Sequence, residues 1–297
     1  MINKLVIIGV GLIGGSFALA LRKAEQVKHI VGVGRSPENM RRALKLDAID
    51  EIADSLPSAL KNADVVFLAI PVGQTGKTME KISPYLESGT IVTDAGSTKR
   101  DVIAAARAHL TNHLENFVPG HPVAGAELSG AAAADPDLYR DKNVVLTPLN
   151  ETSAAAVKRV EELWQACGAQ VFQMSADRHD EILATVSHLP HVLAFALMHQ
   201  ISCAGHSAGH ADVLGPSDLL RFAGSGFRDF TRIAGSSPEM WRDICLGNRE
   251  ALLSQLDAYQ SELAALRGML VRGDGEALRT VFTNAREARR HWLRKSS

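Results

Sequence analysis

A glycine motif near the N-terminus constrains this chain more than any other feature. The β-branched run LVII at residues 5–8 leads directly into GVGLIGGS at residues 9–16. A buried strand that runs into GxGxxG and then into a helix is typical of a βαβ unit that binds a dinucleotide. The glycines permit a tight turn and a close approach of the backbone to phosphate, and the helix start offers N–H groups to it. The alternative is a glycine-rich turn without a ligand, which the flanking strand and helix disfavour.

The second strand ends in a way that bears on the choice of cofactor. An acid usually stands there to bind the ribose hydroxyl of NAD. In this chain Gly34 takes that position and is followed by Arg35 and Ser36, which suit a ribose phosphate. The sequence therefore favours NADP over NAD. In the alternative interpretation, Arg35 is a solvated side chain that stacks on adenine.

The predicted cofactor contacts come from the glycine loop, the end of the second strand and the loop after a later strand. The candidates are Gly9, Gly11, Leu12, Ile13, Gly14, Arg35, Ser36 and Pro71.

Hydrophobic periodicity predicts two domains. In the first half, short β-branched runs alternate with helical patterns, which indicates βαβ units around a parallel sheet. The predicted strands are Leu5–Ile8, His29–Val33, Val65–Ile70, Thr90–Thr93, Asn116–Val118, Val144–Thr147 and Gln170–Met174. After residue 175 the patterns are helical, and Leu246–Met269 is predicted to be one long helix. The predicted fold is α/β, with a Rossmann-like dinucleotide-binding domain at 1–175 and an all-α substrate and dimerisation domain at 176–297.

Composition excludes several classes of partner. Lys plus Arg (32) nearly cancel Asp plus Glu (33), so no overall field draws the protein to nucleic acid or to a membrane surface. The three cysteines are far apart and lack CxxC spacing, so neither a disulfide framework nor a metal site is expected. By the sequence pattern, no apolar run is expected to approach membrane-spanning length, and a cytoplasmic location is expected.

Two polar positions in the first half are candidates for chemistry. His121 follows a predicted strand and is expected to project from a loop on the cofactor face, where it can accept a proton from a substrate hydroxyl as hydride leaves the same carbon. A loop histidine that merely belongs to the polar surface is the alternative. Ser97 precedes a predicted helix, so it either binds nicotinamide or substrate, or caps that helix.

The helical half carries two further unusual stretches, SHLPH at 187–191 and GFRDFTRIA at 226–234. Arg228 and Arg232 are four residues apart and share a helix face if this stretch is helical, and a guanidinium is a natural clamp for a carboxylate. A surface salt-bridge pair is the alternative.

In combination these stretches resemble the prephenate dehydrogenase family, which includes arogenate and cyclohexadienyl dehydrogenases. The resemblance rests on GVGLIGGS, DAGSTK at 94–99, GHPVAGAE at 120–127, SHLPHVLAF at 187–195, GFRDFTRIA and the later PEMW at 238–241. It implies oxidative decarboxylation of prephenate or arogenate, to 4-hydroxyphenylpyruvate or tyrosine, and a homodimer. The chemistry itself requires no metal, because positioning and one base can suffice.

The resemblance also implies roles for particular residues. His121 matches the catalytic histidine and Arg232 the arginine that binds the substrate carboxylate. His191 and Ser97 match further active-site residues, and Glu127 resembles a residue that gates access. An ionic network near the site entrance is implied for Asp180, Arg228 and Asp229.

Two other functions are compatible with a dinucleotide-binding half joined to a helical half. A β-hydroxyacid dehydrogenase is expected to carry a catalytic lysine in a glycine-rich helix, and the stretch from Asp177 to Ala196 has no lysine. A protein that only senses NADP would not need His121, His191 and Arg232 together.

Overall fold

The computed structural model describes residues 1–125, 130–203 and 216–295. The chain forms two compact units, Met1–Arg249 and Glu250–Ser297. The strands are β1 (Ile2–Ile8), β2 (Val27–Val33), β3 (Glu51–Ile52), β4 (Val65–Leu68), β5 (Ile91–Asp94), β6 (Phe117–Val118), β7 (Gly120–Pro122), β8 (Asn143–Leu146) and β9 (Gln170–Gln173). The helices are α1 (Leu12–Lys23), α2 (Pro37–Lys45), α3 (Leu56–Leu60), α4 (Thr75–Ile82), α5 (Arg100–His109), α6 (Ala154–Ala166), α7 (Ala176–Leu183), α8 (Leu189–Cys203), α9 (Pro216–Arg221), α10 (Ser225–Thr231), α11 (Pro238–Gly247), α12 (Arg249–Arg272) and α13 (Gly275–Lys295).

The main sheet is parallel and has the strand order β3-β2-β1-β4-β5-β6. The order reverses between β1 and β4, as in doubly wound dinucleotide-binding folds. The predicted α/β class with a Rossmann-like first half and a helical second half is confirmed.

Three strands form a second sheet in the order β7-β8-β9. β7 is antiparallel to β8, whereas β8 and β9 are parallel. The prediction of one parallel sheet is wrong for this part, although each predicted strand coincides with an observed one. Pro119 separates β6 from β7 and has no N–H for a sheet ladder, so the chain turns out of the main sheet here.

Successive side chains of β4 point to opposite faces of the main sheet, and both faces are covered. Val65 and Phe67 belong to the core on one face, and Val66 and Leu68 belong to the core on the other. Burial of such β-branched and aromatic side chains on both faces is what a parallel sheet between two helical layers requires.

The helical run Ala176–Cys203 joins α7 to α8 through a π-helical turn at Ala184–His188. Pro190 lies just after this turn, and because it has no N–H and crowds the preceding turn, a wider turn before it relieves the helix. By length and composition this run could cross a membrane, so the expectation that none approaches that length is corrected. Buried polar side chains such as His179 and His188 place it among protein groups.

The long helix predicted over Leu246–Met269 is present as α12, but its predicted start is wrong, because α11 ends at Gly247 and α12 begins only at Arg249. Asn248 interrupts it with φ −111° and ψ 33°. Its buried side-chain amide donates to the carbonyl of Asp180 at 2.7 Å and contacts Nδ1 of His188 at 3.1 Å. The break therefore lets one side chain join α11 to α7 and the π-helical turn.

Candidate active site

The carboxyl ends of the central strands lie level with one another. Ile8 of β1 pairs with Leu68 of β4, and Leu68 pairs with Asp94 of β5. Since adjacent strands lie about 4.8 Å apart, Asp94 is about 10 Å from the end of β1. The glycine loop and the loop after β5 therefore open onto the same edge, where the strand order reverses and open α/β sheets bind ligands.

The glycine loop has the shape that a dinucleotide pyrophosphate needs. Gly9 has φ +100°, which favours glycine, and a β-carbon there would collide with the carbonyl of Ala69. A β-carbon on Gly14 would collide with the carbonyl of Gly9, so helix and turn pack at a distance that excludes a side chain. Gly11 faces open space and caps α1 without a side-chain hydrogen bond. The first amides of α1, beginning with Leu12, lack intrahelical partners and can meet phosphate oxygens.

The remaining candidates near this loop also lie at the carboxyl edge. Ile13 follows Leu12 in the first turn of α1, and its carbonyl accepts a hydrogen bond from the Tyr139 hydroxyl at 2.6 Å. Pro71 lies just after β4 and precedes the 3-10 turn Val72–Gln74. These positions fit contacts to a nucleotide that extends along the edge.

The end of β2 differs in detail from the sequence-based interpretation. Arg35 is exposed there, as a contact to a ribose phosphate requires. The Ser36 hydroxyl accepts a hydrogen bond from the amide of Asn39 at 3.2 Å and thereby caps α2. A β-carbon on Gly34 would come too close to the sulfur of buried Met40, so a side chain at this position requires Met40 to shift.

Asn39 is a residue that the sequence analysis missed. Its Nδ2 donates to the carbonyl of Val10, in the glycine loop, at 2.6 Å, and its Oδ1 accepts from the amide of Ala131 at 2.8 Å. One side chain thus ties the glycine loop to the segment that follows β7. No sequence motif signals this contact, because its partners are backbone groups far away in the chain.

A buried ion pair fixes the loop after β5. Nζ of Lys99 lies 2.5 Å from Oδ2 of Asp94, and neither side chain is more than 2% exposed. The ammonium also donates to the carbonyl of Gly120 at 2.7 Å, while Oδ1 of Asp94 accepts from the amide of Gly120 at 3.1 Å. The pair therefore holds the loop and the start of β7 in a fixed relation.

His121 lies in β7 and is only 8% exposed, so the prediction of a loop position is wrong. The strand directs its ring against α7, where Nδ1 of His121 lies 2.8 Å from Nε2 of His179. Burial lowers the pKa of His121 well below its usual value, and the neighbouring His179, Lys99 and His188 lower it further. The ring is therefore neutral at neutral pH, which is the state a general base requires.

Asp180 is fully buried, and its carboxylate accepts from the amides of Lys99 at 2.9 Å and Arg100 at 3.0 Å. Arg228 and Asp229 are exposed on α10. Among the described residues, neither is hydrogen-bonded or ion-paired with Asp180. The structure therefore does not bring together the implied ionic network. Asp180 instead binds buried backbone amides at the start of α5.

The candidates His191 and Arg232 lie in the helical half of the chain. Nδ1 of His191 contacts the carbonyl of Ser187 at 2.9 Å, and its ring stacks on Trp241 with centroids 3.7 Å apart. Burial lowers the pKa of His191, and the positive charge of Arg232 lowers it as well. Arg232 lies at the end of α10, where a 3-10 turn begins. His191, which matches an active-site residue, and Arg232, which matches the arginine for the substrate carboxylate, are therefore close enough for the charge of Arg232 to affect the His191 ring.

Ser97 is half-buried in the loop between β5 and α5. Because α5 begins at Arg100 with Lys99 as its cap residue, the helix-cap alternative for Ser97 is wrong. Glu127 lies outside the described residues.

Three buried residues near the site were not identified from sequence: Lys99, His179 and Asn248. Lys99 ends the DAGSTK stretch, whose polar neighbours Arg100 and Asp101 give no sign that the lysine is buried. His179 and Asn248 act through contacts with residues far away in the chain, for which a single sequence offers no signal.

Two family models cover most of the chain. Residues 17–173 match the nucleotide-binding domain of prephenate dehydrogenase, and residues 175–284 match its dimerization domain.

Curated relatives and solved structures agree with these matches. The chain is 39% identical to prephenate dehydrogenase of Bacillus subtilis, over 97% of this chain and 76% of the relative. It is 37% identical to cyclohexadienyl dehydrogenase of Zymomonas mobilis, over 97% and 95%. The structure of prephenate dehydrogenase from Aquifex aeolicus in complex with hydroxyphenyl propionate and NAD+ superposes with a TM-score of 0.88 at 35% identity, over 97% of this chain and 98% of that one. With its glycine loop, its buried histidine and these similarities along nearly its whole length, the chain belongs to the prephenate dehydrogenase family.

Proposed function

We propose that this protein catalyses the oxidative decarboxylation of a cyclohexadienyl acid, prephenate, arogenate or both, in tyrosine biosynthesis. Hydride passes to a nicotinamide dinucleotide, carbon dioxide is released, and the product is 4-hydroxyphenylpyruvate or tyrosine. Support comes from the names of the relatives and from the ligands of the Aquifex protein. Hydroxyphenyl propionate has a phenol and a carboxylate, the two groups that His121 and Arg232 are suited to bind.

The observation that carries the proposal is the buried, neutral His121 beside the carboxyl edge of the main sheet. A bound nicotinamide would accept hydride from the carbon that bears the substrate hydroxyl. His121 takes the proton of that hydroxyl, so the O–H bond breaks as the C=O bond forms. Loss of the carboxylate then leaves an aromatic ring, which makes the reaction strongly downhill.

The helical side of the site suits the anionic end of the substrate. Arg232 supplies a guanidinium for a carboxylate, and His191 lies beside it against the face of Trp241. We assign substrate binding to His191 and Arg232. Ser97, in the loop that Lys99 and Asp94 hold, is assigned to the hydroxyl end together with His121.

We further propose that NADP is preferred to NAD. Arg35 is exposed at the end of β2, and Gly34 stands at the position of the acid that would bind the ribose hydroxyl of NAD. Arg35 then supplies charge to a ribose phosphate.

A homodimer is also proposed, with the helical half at residues 176–297 as its dimerisation domain beside a dinucleotide-binding domain at 1–175. Only 28% of the most apolar window of Ala176–Cys203 is buried within one chain, and Phe222 is 82% exposed. Apolar surface of this kind is usually covered by a partner. Light scattering should give about twice 31.9 kDa, and a monomeric mass would contradict the proposal.

The test of the function is nicotinamide absorbance with prephenate and arogenate, each with NADP and NAD. We expect turnover in at least one of these combinations, and we expect His121→Asn to lower kcat at least about 100-fold. Identification of the product by mass completes the assignment. If no combination turns over while the dinucleotide still binds, the protein is a sensor or another dehydrogenase.

A further inference from the structure

Three polar side chains form a continuous hydrogen-bonded chain behind the proposed base. Nδ1 of His121 meets Nε2 of His179 at 2.8 Å, and Nδ1 of His179 meets Oδ1 of Asp180 at 2.7 Å. His179 and Asp180 are fully buried, and His121 nearly so. No other hydrogen bond of the His121 ring occurs among the described residues, so Nε2 is the nitrogen left for a ligand.

The far end of this chain is fixed as an acceptor. The two oxygens of Asp180 accept from the amides of Lys99 and Arg100 at the start of α5. Although burial raises the pKa of Asp180, the hydrogen bonds from His179 and from these amides outweigh it, so the pKa is lowered on balance. Asp180 is therefore ionised and cannot donate.

The protons along the chain follow from this acceptor. Because Asp180 only accepts, Nδ1 of His179 carries a proton and donates it. Burial lowers the pKa of His179, so the ring is neutral and its Nε2 is a lone-pair acceptor. Nδ1 of His121 must then carry the proton of the second hydrogen bond, and Nε2 of His121 holds the lone pair.

We propose that His179, oriented by Asp180, is a positioning residue that holds His121 in the Nδ1–H tautomer and so makes Nε2 the base of the reaction. The inference deepens the proposed function and rests on it for the identity of the proton donor. In the reaction, the O–H bond of the substrate breaks and an N–H bond forms at Nε2. His121 then becomes a cation that donates from Nδ1 to His179, with the Asp180 carboxylate behind it.

The other charged and titratable groups near His121 have their own partners. Lys99 is paired with Asp94 and bonded to the carbonyl of Gly120. His188 is held by Asn248. His179 is the group that contacts the His121 ring directly, and its orientation therefore decides the tautomer.

The tautomer can be measured without any substrate. In protein with 15N-labelled histidine, long-range 15N–1H spectra distinguish the Nδ1–H and Nε2–H tautomers, and His121→Asn identifies the signals of His121 among the 11 histidines. We expect the Nδ1–H tautomer in the wild type at pH 8. In His179→Leu the acceptor of the Nδ1 hydrogen bond is lost, so His121 should no longer be held in the Nδ1–H tautomer. A wild-type Nε2–H tautomer would overturn the proposal.

Kinetics of matched variants provide the second test. Asp180→Asn and His179→Leu should lower kcat at least about 100-fold while KM changes less than about 3-fold. His179→Gln has an amide oxygen that can accept from Nδ1 of His121, and should recover kcat to within about 10-fold of the wild type. His113→Gln, which removes a partly buried histidine of the 3-10 turn Thr111–Asn116, is the control and should leave kcat unchanged.

The outcomes separate the two proposals. If His179→Leu keeps both the Nδ1–H tautomer and wild-type kcat, His179 does not position His121, even though the enzyme is a dehydrogenase. If the wild type shows no turnover, the proposed function fails, and the spectra still decide whether His179 sets the tautomer. Should Asp180→Asn fail to fold, the pair His179→Leu and His179→Gln gives the same comparison.

Discussion

The imidazole of His191 lies nearly parallel to the indole of Trp241, with centroids 3.7 Å apart and planes inclined by 20°. Trp241 is 7% exposed and also meets His188 edge-on at 6.0 Å. The indole thus lies between the proposed substrate-binding histidine and the buried π-helical turn. It fixes the plane of the His191 ring.

This stack predicts a difference between two substitutions of Trp241. Since an aromatic pair contributes about 0.5–1.5 kcal/mol beyond burial, Trp241→Leu should raise KM for the cyclohexadienyl substrate about 3- to 10-fold. Trp241→Phe keeps a ring and should stay within about 2-fold. Among the described residues the indole N–H has no hydrogen-bond partner, so phenylalanine loses none. Steady-state kinetics at saturating dinucleotide measure the KM of both variants. Equal KM values would contradict a role for stacking.

The buried pair of Lys99 and Asp94 predicts a large loss of stability when one partner is removed. Lys99→Met leaves a buried carboxylate without its cation and should lower the free energy of unfolding by about 3–5 kcal/mol. Adding Asp94→Asn should recover part of this loss, because the uncompensated charge is gone. Urea titration measures both variants. Lys23→Met, which breaks the exposed pair with Asp137, is the control and should change stability little.

Local sequence signals were sufficient for much of the fold. The glycine motif identified the β1–α1 turn because Gly9 and Gly14 stand where backbone packing excludes a side chain. The short apolar runs gave strands because burial on both faces of a parallel sheet demands continuous β-branched sequence. The helical half followed from periodicity, but the long helix begins three residues later than predicted, after Asn248, whose side chain bonds to groups on α7 and the π-helical turn.

The polar interior of the site could not be predicted in the same way. His121 and His179 are 58 positions apart, and their contact depends on the three-residue strand β7, which is too short for a periodic signal. The resemblance identified His121 and Asp180 as functional but placed Asp180 near an entrance. The burial of Asp180 against the amides of α5 became visible only in three dimensions.

His188 predicts how stability depends on pH. Burial lowers its pKa from 6.5 to about 4, while the unfolded chain binds a proton at the ordinary value. Between these two pKa values the unfolded state binds more protons than the folded state. The stability that the neutral His188 ring allows is therefore fully present above about pH 6.5 and is lost as the pH falls towards 4. A shift of this size corresponds to about 3 kcal/mol.

Substitution of this histidine should flatten the acid side of the stability profile. His188→Gln retains an amide oxygen that can accept from Asn248 and has no proton to gain. In urea titrations at pH 7.5, 6.0 and 5.0, the free energy of unfolding of this variant should fall less with decreasing pH than that of the wild type. The decrease that remains is due to His121 and His179. His291→Gln replaces an exposed histidine and should reproduce the wild-type profile; a wild-type profile in His188→Gln would refute the prediction.

Arg35 predicts the direction of a change in cofactor preference. A charge-assisted hydrogen bond contributes about 1.5–3 kcal/mol, so Arg35→Asp should lower kcat/KM for NADP about 10- to 100-fold. The efficiency with NAD should hold or rise, because the new carboxylate can accept from the ribose hydroxyls. Arg41→Asp, on the exposed side of α2, makes the same change in charge and separates a direct contact from a general field. If both variants keep the wild-type ratio of NADP to NAD efficiency, Arg35 does not contact the phosphate, and dinucleotide choice must depend on other residues at the end of β2.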